Sequence, residues 1–259
     1  PFCIYLFGGI FEEGGGKVNQ QLIFAEKIVD SIFTTSEESF GVKSKKVKIL
    51  GHGINVNKFS PAEIKNVSEL YNIIYVGRIT EIKNLLLLVE AINVLVNRKL
   101  FKDLRIKLIG GTVFPKDESY KNELIALINK YGLDSYVEFV GNVPNKQMVS
   151  FYQQADLSVN LSPTGGMDKS VLESMAVGVP VIVLNQAFKS EFADYGDELL
   201  LSKEDAEELV DKVINLKGMD KNRLLDLKNK LVFRVKNNHN LENLIKIICR
   251  ELMYGKTSQ

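Results

Sequence analysis

The sequence contains no tryptophan, only two cysteines and only two histidines among its 259 residues. Cys3 and Cys249 stand near opposite ends of the chain, which argues against a disulfide framework and a cysteine-based zinc site. The histidines, His52 and His239, are too few and too widely separated for a histidine-based metal centre. No apolar run reaches the ~18 residues that a membrane-spanning helix requires. We therefore expect a protein of a reducing compartment that holds no metal.

An excess of charge of one sign is also missing. The 33 basic and 32 acidic residues give a net charge of +1, so that nothing in the charge balance calls for a nucleic-acid partner. Hydrophobic residues at 45% and charged residues at 25% are typical of a soluble globular protein. The chain begins with Pro1 and an apolar segment instead of a methionine, and we expect it to be part of a larger protein.

Short apolar segments alternate with amphipathic ones from Tyr71 onward. The pattern predicts strands at 73–76, 104–109, 137–140, 157–161, 180–184 and 198–201, and helices over 82–98, 116–131, 146–155, 169–176, 203–216, 220–235 and 241–254. This order predicts an α/β fold, a Rossmann-like parallel sheet with helices on both faces. Ligands of such sheets bind at the carboxyl ends of the strands.

Residues 1–60 have the pattern of the tail of a preceding domain. We predict a strand at 2–7, a glycine-rich loop at 8–16, a helix over 20–31, a strand at 32–35, a helix start at 36 and a strand at 47–50. A loop follows at 51–57, and a polar linker runs from Pro61 to about Leu70.

The segment from Ser162 to Ile182 is the most informative part of the chain. Gly165 and Gly166 let the backbone approach a ligand, and a helix predicted to start near Asp168 directs its unpaired N–H groups toward the same place. Lys169 and Glu173 share one face of that helix. A place for an anion, such as a phosphate, lies beside a carboxylate that can accept hydrogen bonds from the hydroxyl groups of a ribose or sugar. This combination indicates the nucleotide-sugar site of a glycosyltransferase.

Other loops at the carboxyl ends of predicted strands complete the candidate site. Arg78 and Lys83 follow the first strand of the alternation, where two cations would hold a diphosphate and stabilise its charge as it leaves. Gly110-Gly111 would let a ligand approach the backbone, and the segment 141–144 would hold a nucleobase edge through main-chain groups.

Several of these residues also have plainer interpretations. Asp168 and Lys169 can be a helix N-cap pair, Glu173 a solvated carboxylate, and the two glycine segments ordinary turns. We interpret His52 as a loop residue, the acidic stretch 203–208 as a solvated helix start, and the helix over 241–254 as a docking helix.

The segments 76–83, 140–144, 155–159 and 171–182 together resemble the donor-binding domain of retaining GT-B glycosyltransferases, the glycosyl transferases group 1 family that includes glycogen and sucrose synthases. The resemblance covers about Val29 to the C-terminus. It implies three parts: 1–60 as the remnant of an acceptor-binding domain with the interdomain linker, 61–240 as the nucleotide-sugar-binding domain, and 241–259 as a C-terminal helix that packs back toward the first domain.

The resemblance also implies the roles of individual residues. Arg78 and Lys83 would clamp the diphosphate and Glu173 would hold the ribose, as the catalytic set. The donor-binding residues would be Gly77, Gly110, Gly111, Gly141, Asn142, Val143, Pro144, Gly165, Gly166, Met167, Asp168, Lys169, Ser170 and Leu172. The chain departs from the family at Gly165, where a glutamate of a Glu-x7-Glu pair is common. Asp168 or Lys169 would then take over contacts with the donor sugar.

We therefore expect a metal-independent transfer of a sugar, with retention, from a nucleotide diphosphate sugar to a glycan or lipid-linked acceptor in polysaccharide biosynthesis. The expected location is the cytoplasm, at the inner face of the cell membrane, with peripheral membrane association of the intact enzyme and no nucleic-acid partner. Two alternatives stay open: a non-catalytic nucleotide-binding or scaffolding module, and a nucleotide-sugar epimerase of the same architecture.

Overall fold

The structure is a computed structural model, which describes residues 4–6, 20–34, 42–62 and 69–254. The strands are β1 (Ile4–Leu6), β2 (Ser31–Thr34), β3 (Val47–Ile49), β4 (Tyr71–Val76), β5 (Leu104–Ile109), β6 (Val137–Gly141), β7 (Leu157–Asn160) and β8 (Val181–Val183). The α-helices are α1 (Gln20–Ile28), α2 (Leu85–Asn93), α3 (Pro115–Lys130), α4 (Asn145–Gln154), α5 (Lys169–Ala176), α6 (Gly196–Leu199), α7 (Ala206–Lys217), α8 (Lys221–Asn238) and α9 (Leu241–Tyr254).

The strands form two parallel sheets, a small one in the order β1-β2-β3 and a larger one in the order β6-β5-β4-β7-β8. In the larger sheet every residue of β7 and β8 is buried. Strands covered on both faces need near-continuous apolar sequence, and the Val-Ile-Val of β8 meets that need.

Helices cover both faces of the larger sheet, so that the predicted Rossmann-like α/β fold is confirmed. Helix α2 packs against α3 and α7, while α5 packs against α8. Six of the nine residues of α2 are buried, because this helix lies inside a layer and not at its surface.

The strand order reverses direction at β4. From β4 the chain adds β5 and β6 on one side, then crosses to add β7 and β8 on the other. The loops that follow β4 and β7 therefore flank a topological switch point, the place where open α/β sheets bind their ligands. The segment after β7 is the glycine-containing loop that the sequence singled out.

Two predicted helices have different bounds in the structure. The helix expected over 20–31 ends at Ile28, because Ser31 already belongs to the buried strand β2. The helix expected from residue 82 begins at Leu85, because Glu81–Lys83 form a 3-10 turn and Asn84 has a left-handed φ of 51°. A π-helical turn, Val94–Arg98, continues it.

The strand expected at 198–201 is wrong. Residues Gly196–Leu199 form helix α6, and Leu200 makes a single isolated bridge with Val183. The predicted glycine-rich loop at 8–16 and the helix start at 36 lie outside the described residues, as do parts of the predicted strand 2–7 and of the linker from Pro61 to Leu70.

The loop at 51–57 is tied to the start of α9. The Ile54 N–H donates to the His239 carbonyl at 2.7 Å, and the Leu241 N–H donates to the Ile54 carbonyl at 2.9 Å. Lys48 and Glu251 form an ion pair further along the helix. The division into three parts stays a prediction. None of the helices in the described ranges is both long and apolar enough to cross a membrane.

Candidate functional site

The candidate site is built from loops that main-chain hydrogen bonds join at the carboxyl edge of the larger sheet. The Gly110 N–H donates to the Gly141 carbonyl at 2.9 Å, and the Ile79 N–H donates to the Gly111 carbonyl at 2.9 Å. These bonds bring the segments after β4, β5 and β6 together, as the sequence predicted for parallel strands.

Glycine is required at one of these crossings. Gly110 has a φ of +133°, and a Cβ placed there would lie 1.9 Å from the carbonyl oxygen of Gly77. No side chain fits at that distance, so the loop after β5 can pass the loop after β4 only as bare backbone.

A charged cluster lies on the other side of the switch point. Asp168 Oδ2 accepts a hydrogen bond from Lys83 Nζ at 2.8 Å and another from Asn160 Nδ2 at 2.7 Å. Asn160 is the last residue of β7 and is buried. The cluster therefore fixes one of the two predicted diphosphate-binding cations against the start of α5.

The interpretation of Asp168 as a capping side chain is wrong. Asp168 occupies the N-cap position of α5 with extended backbone, but its carboxylate makes no capping hydrogen bond within the described residues. It binds Lys83 and Asn160 instead. The first N–H groups of α5 are thus left for another acceptor, which is the arrangement of an anion-binding helix end.

Glu173 is half-buried, unlike the solvated carboxylate of the plainer interpretation. Tyr152 donates its hydroxyl to Glu173 Oε2 at 3.1 Å and is itself fully buried. Burial raises the pKa of the Glu173 carboxyl above its usual range, while the Tyr152 hydroxyl and the Lys58 and Lys169 ammonium groups act against that rise. The carboxylate is held in one orientation, one turn inside α5.

Asn185, which follows β8, fixes the glycine loop. Its side-chain amide donates to the Gly165 carbonyl at 3.0 Å and to the Gly166 carbonyl at 3.4 Å. Gly165 has a φ of +106° with open space around its Cβ position. Left-handed backbone of this kind strongly favours glycine, which gives a local reason for the residue found where the family commonly has glutamate.

A cleft of about 280 Å³ continues the site toward β6. Its lining combines predicted and unpredicted residues: Ile79, Gly110, Gly111, Thr112, Lys121, Phe139, Val140, Gly141 and Asn142. Sequence reasoning missed Lys121 because α3 carries several lysines and nothing in the pattern separates this one from solvated neighbours.

Two predicted donor-binding residues have buried side chains. Leu172 is fully buried and Met167 is 6% exposed, and both belong to the main hydrophobic core. Leu172 is buried because α5 presents its apolar face to the sheet, and Met167 joins the same core just before the helix. Only their main-chain groups remain as possible donor contacts.

The remaining predicted residues lie around the same edge. Arg78 is exposed directly after β4, and its carbonyl accepts a hydrogen bond from the Tyr75 hydroxyl. Lys169 is exposed and Ser170 is partly buried at the start of α5. Val143 and Pro144 precede α4, where Pro144 is the N-cap residue.

His52 connects the loop at 51–57 to the site and was not expected to do so. Burial and the neighbouring His239 lower the pKa of His52 to about 4, and the His52 ring also contacts the Met167 carbonyl. The main-chain N–H of His52 donates to His239 Nδ1 at 3.1 Å. The other ring nitrogen of His239, Nε2, lies 3.1 Å from Glu191 Oε2. A signal was present in the sequence: a histidine between two glycines.

The structure is an α/β domain in which helix α5 begins at the switch point of a parallel sheet, with no side-chain cap among the described residues. Residues 71–218, more than half of the chain, match the family described as Glycosyl transferases group 1. The protein belongs to that family, and the predicted resemblance is confirmed.

Curated relatives agree with the family match. The chain is 26% identical over 222 residues to a putative colanic acid biosynthesis glycosyltransferase, WcaL, of Escherichia coli K12, which covers 83% of this chain and 52% of the relative. It is 25% identical over 173 residues to the mannosylfructose-phosphate synthase of Agrobacterium fabrum, covering 64% of this chain and 38% of the relative. The chain thus spans about half the length of the WcaL relative.

Solved structures share the fold. The crystal structure of Anabaena Alr3699/HepE in complex with UDP superposes with a TM-score of 0.80 at 16% identity, covering 96% of this chain and 71% of that one. The C-terminal domain of the group 1 glycosyl transferase LpcC of Francisella tularensis has a TM-score of 0.64 at 24% identity, covering 73% of this chain and 100% of that one.

Proposed function

We propose that this chain is mainly the donor-binding half of a retaining hexosyltransferase that takes a sugar from a nucleotide diphosphate sugar. The observation that carries the proposal is the pairing of Lys83 with Asp168 beside the N-terminal end of α5. This arrangement places a fixed cation next to main-chain N–H groups that no side chain caps among the described residues.

The diphosphate would bind at this point. The helix end supplies N–H donors and a positive dipole, and Lys83 and Arg78 supply positive charge on the side of β4. The Lys83 side chain is 16% exposed, so its charge is screened less than that of a surface lysine. As the bond to the sugar breaks, negative charge grows on the departing phosphate, and these fixed groups stabilise it.

Glu173 would hold the ribose. Tyr152 fixes one carboxylate oxygen, and a carboxylate has further acceptor sites for a ribose hydroxyl. The raised pKa of Glu173 reflects burial, and hydrogen bonds from the ribose would favour the ionised form.

The sheet also supports a direction for the bound donor. From β6 to β7 there are three strand spacings, about 14 Å, which is of the order of an extended nucleoside diphosphate. With the diphosphate at α5, the nucleobase would reach the cleft beside β5 and β6, where the segment 141–144 was predicted to bind it.

The finer points of the activity belong to the same proposal. We infer retention at the sugar, no metal cofactor, and a glycan or lipid-linked acceptor held by another part of the intact enzyme. The WcaL relative is named for colanic acid biosynthesis, and HepE structures hold UDP and UDP-glucose, which supports a nucleotide sugar and a polysaccharide product. We also propose that the intact enzyme acts at the inner face of the cell membrane, with which it associates peripherally.

Calorimetric titration of the chain with UDP, GDP and ADP tests the donor site. We expect saturable binding of at least one nucleotide, weakened at least about tenfold by Arg78→Ala and by Glu173→Ala, since each removes a charged hydrogen-bond partner. Lys99→Ala is the control, because this exposed lysine precedes β5 and lies at the opposite edge of the sheet. Folded protein that binds none of the nucleotides would contradict the proposal.

A further inference from the structure

Lys121 stands out in the cleft that lies beyond the diphosphate end of the site. It projects from α3 and lines the cleft together with Asn142, which follows β6. Its side chain is partly buried, and its ammonium group has no hydrogen-bond or ion-pair partner among the residues that the structure describes. An ammonium that lines a cleft without a partner is free to donate to a ligand that supplies an acceptor.

The cleft of about 280 Å³ offers a ligand both side-chain and main-chain contacts. Ile79 and Val140 offer apolar contact, while Gly110 and Gly111 leave the backbone bare on one side. The Asn142 amide lies over Gly111, since a Cβ added there would be 2.9 Å from the Asn142 side chain. A small-molecule pocket combines apolar contacts with a few polar groups, and the lining of this cleft contains both.

The Lys121 ammonium and the Asn142 amide differ in whether they donate or accept hydrogen bonds. A lysine ammonium only donates hydrogen bonds, whereas an asparagine amide both donates and accepts. Uracil and guanine present a carbonyl oxygen where cytosine and adenine present an amino group. A donor-only group therefore pairs with the first two bases and meets another donor on the last two.

We propose that Lys121 makes this site selective for a nucleotide whose base carries that carbonyl, uracil or guanine, over adenine. Lys121 donates to the base carbonyl oxygen, and the Asn142 amide oxygen accepts from the neighbouring ring N–H. The inference rests on the proposed function, because it takes the cleft to be the base end of a nucleotide diphosphate site. It adds a specificity residue outside the four segments that carried the resemblance in the sequence.

The test is calorimetric titration of the chain and its Lys121→Met variant with UDP, GDP and ADP. We expect the unmodified chain to bind UDP or GDP at least about tenfold tighter than ADP, and Lys121→Met to lose about 10- to 100-fold for that nucleotide. Binding of ADP should change less than about twofold. Lys121→Arg, which keeps a donor-only cation, should retain most of the preference, and Lys116→Met on the same helix is the matched control.

The outcomes separate this inference from the proposed function. An equal loss for all three nucleotides in Lys121→Met would place the ammonium on the phosphates or ribose and overturn the inference, while the donor site would stand. Preference of the unmodified chain for ADP would overturn it in the same way. Absence of binding by any nucleotide to folded protein would overturn both. Arg78→Ala should weaken all three nucleotides alike, because it acts at the diphosphate.

Discussion

At the scale of single residues, Asp168 contacts side chains that its sequence context does not predict. Its sequence context is that of a helix N-cap, yet its carboxylate binds Lys83 and Asn160. Lys83 follows β4 and Asn160 ends β7, and these strands are neighbours in the sheet. A local sequence pattern does not reveal which strands are neighbours. Asp168 therefore holds a cation in place, and its carboxylate makes no capping bond to the first N–H groups of α5.

Gly165 provides a prediction at the same scale. Gly165→Ala should lower the free energy of unfolding by about 1–2 kcal/mol, because a Cβ is unfavourable at left-handed φ. Gly196→Ala is the matched control: its Cβ position is equally open, and its φ is −59°. This control should be neutral or stabilising.

Urea denaturation of the two variants measures the difference. Equal effects of the two substitutions would show that conformation does not select glycine at position 165. The predicted cost applies to any side chain there, and it explains why a glutamate cannot be restored at that position without strain.

At the scale of elements, sequence patterns locate most of the larger sheet because its strands are short, apolar and bounded by glycine or polar residues. Helix α5 matches its predicted bounds, since Asp168 and Gly178 delimit a single amphipathic stretch. The failure at 198–201 has a physical cause. Leu199 and Leu201 are both fully buried, and alternating burial of this kind also fits a helix turn that leads into one bridge.

The site was predictable only where a residue type announces its chemistry. Arg78, Glu173 and the glycine loops could be found from their places after strands. Tyr152, Asn160, Asn185 and Lys121 could not, because their roles depend on which segments the fold brings together. The partners of a charge are set by tertiary structure, whereas the charge itself is visible in the sequence.

The buried His52 in the loop at 51–57 predicts that the free energy of unfolding depends on pH. Because the pKa of His52 is about 4 in the fold and near 6.5 when exposed, the unfolded chain binds more protons between these values. The free energy of unfolding should therefore fall as pH drops from about 6.5 toward 4. His52→Gln removes the titrating group and should reduce that fall.

Urea denaturation at pH 7 and pH 4.5 measures the effect as a difference between the two proteins. Acidic groups titrate in both and cancel to first order. If His52→Gln shows the same loss of stability on acidification as the unmodified chain, the ring is not held neutral between the linker and Met167 as the structure has it.

At the scale of the whole molecule, the proposed donor site extends along one edge of the larger sheet. The Lys83–Asp168 ion pair lies at the end beside β7 and α5, and the cleft that Lys121 lines lies at the end beside β5 and β6. Since the chain spans about half the length of the WcaL relative, acceptor binding and transfer belong to the proposal for the intact enzyme. Donor binding is the part of the proposed activity that can be tested with this chain.

The most direct test is a crystal structure of the chain with UDP or GDP, whichever binds more tightly. We expect oxygens of the diphosphate within hydrogen-bond distance of the Lys169 and Ser170 N–H groups and of Lys83 Nζ, a ribose hydroxyl on Glu173, and the base in the cleft beside Lys121. A nucleotide bound elsewhere, or one whose diphosphate lies away from the start of α5, would contradict the account.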